Sequence, residues 1–507
     1  MKIDRLAGIL LPISSLPSPY GIGTLGQAAF DFVDFLNLSG QSYWQILPIG
    51  PTGFGDSPYQ SFSAFAGNPY FIDIELLKKQ GLLNEAQINK FDASAQGSKV
   101  DYEKLYFNRF PLLKQAFSAF DINLESFIDF CQAESVWLDD YALYMSLKDH
   151  FGGRDYQRWD DRIRLREQDA LDFYKEYLAE EIKFWQFCQY EFFRQWAVLK
   201  NYANERGILL IGDIPIYVSS DGADVWANMN LFQMDEDGHP LFIAGVPPDY
   251  FSATGQRWGN PLYDWKTMEE SGFDWWKQRI SSYSRLFDVI RIDHFIGISR
   301  YYAIPPACDT AVGGEWKDGP GKKLINAINE SVGNARIIAE DLGVLHHSVK
   351  KLLEESGYPG MKVLLFAADG NKDNPHIPYK YNNNTTVYVG THDNDTVAGF
   401  CKKIKTEELS YLLEYFGIKT KKQLPLALIK GAFASVADTA IVQLQDWLEL
   451  DNTARMNTPS TIGTNWMWRV DEKLLTQELA KKIRHITELY ARTKLNQRSA
   501  ILKEEPQ

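Results

Sequence analysis

VIRIDHF (289–295) is a short β-branched apolar run that ends in an acid, Asp293. Two other runs share that design: RIIAEDL (336–342), with Glu340, and TVYVGTHD (386–393), with Asp393. Runs of this length and composition read as strands buried on both faces of a parallel sheet. Packing alone gives no reason for an acid at such a strand end, because burying a lone carboxylate costs several kcal/mol. Carboxylates at the C-terminal ends of successive parallel strands converge on one cleft. Acid–base and nucleophilic chemistry is therefore the first expectation.

Working outward, five more strand-like runs complete a set: AGILLPI (7–13), YWQILPIG (43–50), ILLIGDIPI (208–216), MKVLLF (361–366) and TAIVQLQDW (439–447). Helix-like segments separate most of them. QAAFDFVDFLNLSG (27–40) has apolar residues at helical spacing, 344–356 repeats the pattern after Gly343, and 471–493 is amphipathic. Eight strands alternating with helices predict an α/β protein with a (β/α)₈ barrel; an open doubly wound sheet is the alternative. Two gaps exceed plain loops. Residues 75–200 read as a mainly helical insertion between the second and third strands. Residues 217–265, rich in Gly, Pro, Trp, Tyr and Asp, read as irregular loops over the C-terminal face. The expected organisation is strands one and two in 1–74, strand three in 201–216, and strands four to eight plus a C-terminal helix in 266–507. No all-β tail follows the eighth run.

The net charge of −13 and the lack of any basic stripe argue against nucleic acid, anionic membranes and polyanionic substrates, and leave a neutral ligand such as a sugar. Aromatic residues make up 14% of the chain, which fits either stacking against sugar faces or an aromatic-rich core. Cys131, Cys188, Cys308 and Cys401 show neither CxxC nor metal-ligand spacing, so a reducing compartment is expected. The N-terminal apolar stretch is too short for a signal core, and no run is long enough for a membrane helix. A cytoplasmic protein, with no membrane partner, is the expectation.

Several motifs carry competing readings. GIGTLG (21–26) has the form GxGxxG, but Pro17 and Pro19 separate it from the first strand and no acid ends the second. It reads as a glycine-rich loop entering a helix, not a nucleotide site. Arg291 and Asp293, two residues apart, share a strand face. They are either a structural ion pair or an arginine that lowers the pKa of a nucleophile. Glu340 in a partly apolar pocket would have a raised pKa and act as an acid. His392 beside Asp393 is a donor to a sugar hydroxyl or a satisfied histidine next to a turn-capping aspartate. Adjacent His346 and His347 point apart on a helix and make a poor metal pair. GPGKK (319–323) lacks phosphate-loop spacing, so Lys322 and Lys323 read as the start of a solvated helix. Neither a metal nor a cofactor is expected.

Asp213, RIDHF, AEDLG and GTHD together resemble the four short regions of the α-amylase clan. GDSPYQSFSAFAGNPYFID (55–73), GVPPDYFSATGQRWGNPLYDW (245–265), GYPGMKVLLFA (357–367), GTHDNDT (390–396) and ARMNTPST (454–461) are similar to the 4-α-glucanotransferase family, also called amylomaltase or disproportionating enzyme (glycoside hydrolase family 77). The resemblance runs from about residue 5 to residue 490. It implies a (β/α)₈ barrel without a C-terminal β-sandwich. It also implies Asp293 as nucleophile, Glu340 as general acid/base and Asp393 as the carboxylate that fixes the distorted donor sugar. By the same resemblance Asp213, Arg291, His294 and His392 line the donor pocket. Ser57, Tyr59, Asp249, Gln256, Trp258, Asp369 and Asn465 are implied as further glucan contacts or neighbours of the acceptor loop, and Phe251 as a mobile aromatic lid. Phe54 stands where a tyrosine is frequent, and LDNTARMN and GTNWMW replace commoner forms near Asn465.

The resemblance implies a transferase working on maltooligosaccharides, amylose-type glucans and glucose, as a monomer or homodimer. Two carboxylates in a retaining double displacement would lie about 5–5.5 Å apart, against roughly 6.5–9.5 Å for inversion. A retaining α-glucan hydrolase with the same triad is the near alternative, since only the acceptor differs. A non-catalytic glucan-binding barrel is the distant one, having no use for three strand-end acids.

Overall fold

The computed structural model describes residues 5–90, 98–248 and 252–494. Eight parallel strands close into a barrel: Leu6–Leu10, Tyr43–Gln45, Leu209–Pro215, Val289–Asp293, Arg336–Ala339, Gly360–Val363, Thr385–Tyr388 and Thr439–Gln443. They pair in chain order, and the first returns to the eighth with Leu6 opposite Thr439. Each of the eight apolar runs supplies one strand. Most strands are shorter than their runs: Pro12 and Pro48 follow soon after the first two, and Leu364–Asp369 and Leu444–Trp447 turn helically instead of extending the sheet. The first strand is buried along its whole length, as a strand with helices outside and side chains inside must be. Gly212 on the third strand is required by close packing, because a Cβ there would lie 2.3 Å from the ring of Phe287.

Helix Gln27–Leu38 follows the glycine loop and packs against the C-terminal helix Gln477–Leu489, whose N-cap Thr476 accepts from Leu479 N–H. The second connection is helical, and its last member, the 27-residue helix Ala179–Glu205, leads into the third strand. His346 precedes helix His347–Ser356 as its cap, and Lys322 begins helix Lys322–Ser331.

The 217–265 region differs from the expected irregular loops. Ile243–Val246 and Gln256–Pro261 pair antiparallel, and Ile243–Val246 pairs again with Arg300–Ile304, which pairs with Glu315–Asp318. The strands of this four-stranded sheet come from both sides of the fourth barrel strand. Pairing between such short segments leaves little trace in their hydrophobic pattern.

Behind the eighth strand, Asp446 is 1% exposed; Oδ1 accepts from Val397 N–H at 2.7 Å, while Oδ2 has no partner among the described residues. Burial pushes its pKa up to about 7. The folded state therefore holds this proton more tightly than the unfolded chain, whose aspartates titrate near about 4. The contribution of Asp446 to stability falls as pH rises through that interval. Asp446→Asn is expected to gain more at pH 8 than at pH 5, by about 2 kcal/mol, because most of the interval between the two pKa values lies between those pH values. Denaturant unfolding at the two pH values checks this, and a larger loss at pH 8 than at pH 5 would contradict it.

Candidate active site

The third and fourth strands build the inner surface of the cleft. Asp213 and Arg291 are register partners, and both are buried. Arg291 Nη1 donates to both oxygens of Asp213 at 2.6 Å, and Nη2 lies 3.0 Å from Asp293 Oδ1. Its Nε also approaches Met361 Sδ at 3.3 Å. Met361 is on the sixth strand, not a neighbour of the fourth, so the guanidinium crosses the barrel interior. The two-residue period of the strand puts Arg291 and Asp293 on one side, and one cation serves two acids.

Glu340 follows directly after the fifth strand. Its Oε2 accepts from His294 N–H at 2.7 Å and its Oε1 from Leu342 N–H at 3.0 Å. His294 has φ +54°, a left-handed conformation uncommon outside glycine. That turn, immediately after Asp293, aims the amide at Glu340. The acid/base candidate is thus held by the backbone of the nucleophile candidate's own loop.

Tyr59, from the loop after the second strand, donates to Asp213 Oδ2 at 2.7 Å and lies 3.0 Å from His392 Nε2. The rings of Tyr59 and His392 stack with centroids 5.2 Å apart. Since the single phenolic proton goes to Asp213, Nε2 of His392 donates to the Tyr59 oxygen, which sets the tautomer. His392 Nε2 is also 3.4 Å from Asp393 Oδ1, and Asn457 Nδ2 donates to that oxygen at 2.6 Å. The Asp393 side chain remains 45% exposed.

Burial governs the protonation of the cleft. It raises the Tyr59 hydroxyl, which stays protonated, and lowers His294 to about 4 and His392 below its ordinary value, so both imidazoles are neutral. Burial also raises Glu340, against Arg291 and the two backbone amides. Asp293 corrects the expectation of a net lowering by Arg291: burial raises it well above the usual carboxylate range, and the nearby Asp213 and Glu340 add to that. Arg291 does lower it, but burial outweighs that effect, and Arg291 is shared with Asp213, which takes its two shorter bonds. Two interacting carboxyls with raised pKa values hold one proton between them over an interval of pH. Arg291 favours the charge on Asp293, the member of the pair with which it forms an ion pair.

Other residues expected at the site are placed as follows. Trp258 packs edge-on against His294, ring centroids 4.8 Å apart, and its indole N–H donates to Gln256 Oε1 at 3.1 Å. The buried Nε2 of His294 has no partner among the described residues. Ser57 Oγ accepts from Tyr59 N–H at 3.2 Å and so shapes the Tyr59 turn. Asp369 is exposed after the sixth strand, where Oδ1 accepts from Asn371 N–H and Asn374 Nδ2. Asn465 is buried and spends its amide inside its own loop, on Thr458 and Thr461. Asp249 and Phe251 lie outside the described residues. Three neighbours received no role from the sequence: Trp466, whose ring is 5.8 Å from that of Tyr59, and Arg455 and Asn457, which contact Asp393. Arg455 and Asn457 stand in the quoted ARMNTPST block, but nothing in its pattern indicates their contacts.

The family model described as 4-alpha-glucanotransferase, of glycoside hydrolase family 77, matches residues 11–476. The chain belongs to this family. Among 4-alpha-glucanotransferases it is 45% identical over 483 residues to that of Clostridium butyricum, covering 95% of this chain and 99% of the relative. It is also 45% identical over 500 residues to that of Thermus thermophilus, covering 96% and 99%. An amylomaltase from Streptococcus agalactiae, solved in complex with acarbose, superposes with a TM-score of 0.94 at 41% identity, over 97% of this chain and 100% of that one. The amylomaltase of Corynebacterium glutamicum shares the fold, with a TM-score of 0.78 at 19% identity over 97% and 74% of the two chains. Family membership makes the protein a glycosyltransferase acting on α-1,4-glucans. No helix among the described residues is long and apolar enough to cross a membrane, and the four cysteines are free thiols.

Proposed function

We propose that the cleft transfers a segment of an α-1,4-glucan to the 4-hydroxyl of glucose or of another glucan by two successive displacements at the anomeric carbon. Asp293 attacks C1 as the C1–O4 bond breaks, and Glu340 gives its proton to the departing oxygen. Glu340, now a carboxylate, takes the proton of the acceptor 4-hydroxyl while that oxygen attacks C1, the glycosyl ester breaks and Asp293 is restored. Two inversions return the α-configuration. Asp393 holds the donor sugar through its hydroxyls. Asp213, Arg291, Tyr59 and His392 form the polar wall beside it, His294 and Trp258 pack against each other next to Glu340, and Asp249 and Phe251 are further glucan contacts by family resemblance.

The observation that carries this reading is the coupling of the two acids. Glu340 is held by the amide of the residue after Asp293, and Arg291 pairs with Asp293. One proton placed on Glu340 gives the acid and the nucleophile that the first step needs. Maltooligosaccharides and amylose-type glucans are the proposed donors, and the free thiols fit a reducing, cytoplasmic setting. Hydrolysis with the same carboxylates is the competing outcome. Incubation with maltotriose separates them. Transfer yields glucose together with longer maltooligosaccharides, whereas shorter products alone would overturn it.

A further inference from the structure

Asp393 projects from a loop, and almost half of its side chain is open to solvent. A half-exposed carboxylate loses rotamer freedom when it engages a ligand, unless the fold has already fixed it. The chain at 455–457 supplies that restraint at four points. Asn457 Nδ2 donates to Asp393 Oδ1 at 2.6 Å, and Asn457 N–H donates to the carbonyl of His392 at 3.1 Å. Arg455 Nη2 donates to the carbonyl of Asp393 at 2.5 Å, while Nη1 pairs with the side chain of Asp395. Arg455 Nε closes the unit by donating to the carbonyl of Asn457 at 2.7 Å. One three-residue segment beyond the eighth strand thus grips residues 392, 393 and 395 through backbone and side chains together.

We infer that Asn457 and Arg455 are positioning residues for the reaction. Asn457 sets the rotamer of Asp393, and Arg455 sets the path of the loop that bears it. The amide suits the role chemically. It donates to the carboxylate without adding charge, so Asp393 keeps a second oxygen for sugar hydroxyls. A lysine or arginine in its place would compete with the donor sugar for the same lone pairs. Arg455 meets the main chain and Asp395 with two separate N–H groups, which a lysine's single nitrogen cannot reproduce. This inference rests on Asp393 as the group that holds the distorted donor sugar.

The test is a double-mutant cycle with maltotriose as substrate. Asn457→Ala is expected to lower kcat about 10- to 100-fold, the range for loss of one hydrogen bond to a charged group, with KM close to wild type. In an Asp393→Ala background the same change is expected to cost less than about 3-fold, because the group it positions is gone. An equal loss in both backgrounds overturns the inference and marks Asn457 as merely structural. If Asp393→Ala alone turns over like wild type, the assignment of Asp393 fails instead. Asn457→Asp keeps the shape and replaces the donor with an acceptor. Its pH–rate profile is expected to shift toward acid, where a proton shared between the two carboxyls restores the bond. An unshifted profile with wild-type activity contradicts the positioning role, and melting curves of each variant confirm that the barrel is folded.

Discussion

Asp293→Asn is expected to lower turnover of maltotriose by roughly four to six orders of magnitude, the range seen when a nucleophile is removed from a cooperating constellation. The substitution preserves volume and keeps an acceptor oxygen for Arg291 Nη2, 3.0 Å away in the wild type. The barrel should therefore stay folded. What it removes is the negative oxygen that attacks C1, so no glycosyl ester can form. Arg291 still has Asp213 at 2.6 Å, and its positive charge is not left uncompensated. Steady-state kinetics with melting curves check the prediction, and intact-mass analysis after rapid quench checks for the ester. Turnover near wild type would remove Asp293 from the nucleophile role.

Glu340→Gln is expected to cost about 10²–10⁴-fold with maltotriose, the range for a general acid or base, and the loss should depend on the leaving group. A sugar alkoxide needs the proton, whereas fluoride departs without it. With α-maltotriosyl fluoride the first displacement should survive, and the second, which needs Glu340 as base, should stall. The adduct on Asp293 should then accumulate and appear as a stable mass increase. The glutamine retains an oxygen to accept from His294 N–H or Leu342 N–H, although its NH₂ cannot accept from the other amide. A modest loss of local order is therefore expected as well. Equal losses with both donors and no adduct would show that Glu340 is not the proton donor of the first step.

The two carboxylates behave differently for reasons that lie in their surroundings. Both are raised by burial. Arg291 touches only one of them, and the backbone amides hold only the other. The notion of an arginine that simply lowers the pKa of Asp293 omits Asp213, which sits opposite Arg291 in the ladder and takes its strongest bonds. A strand pattern reveals which residues share a face. It does not reveal which residue on the next strand competes for the same cation.

The barrel was legible because each strand is a short continuous apolar run, buried on both faces, and the connections between most runs have helical period. The acids were legible because nothing else explains charge at the ends of such runs. Strand ends were less so. MKVLLF continues apolar past Val363, yet Leu364–Asp369 is a helical turn, and hydrophobicity does not distinguish a buried strand from a buried turn. The antiparallel sheet at 243–318 was not legible because its strands are only four to six residues long, and its central pairing, Ile243–Val246 with Arg300–Ile304, spans the fourth barrel strand. Arg455 and Asn457 escaped because a polar residue in a loop has no periodicity to betray its partner.

Sequence alone determined the parallel eight-strand barrel, the three strand-end acids and the family, since these depend on local composition and on ordered blocks along nearly the whole chain. Tertiary structure decided the division of Arg291 between Asp213 and Asp293, the left-handed turn at His294 that delivers its amide to Glu340, and the grip of residues 455–457 on the Asp393 loop. Each of these joins residues from different strands or loops. Their energies depend on distances of a few ångströms in a buried, low-dielectric cleft, and such distances are set only when the barrel closes.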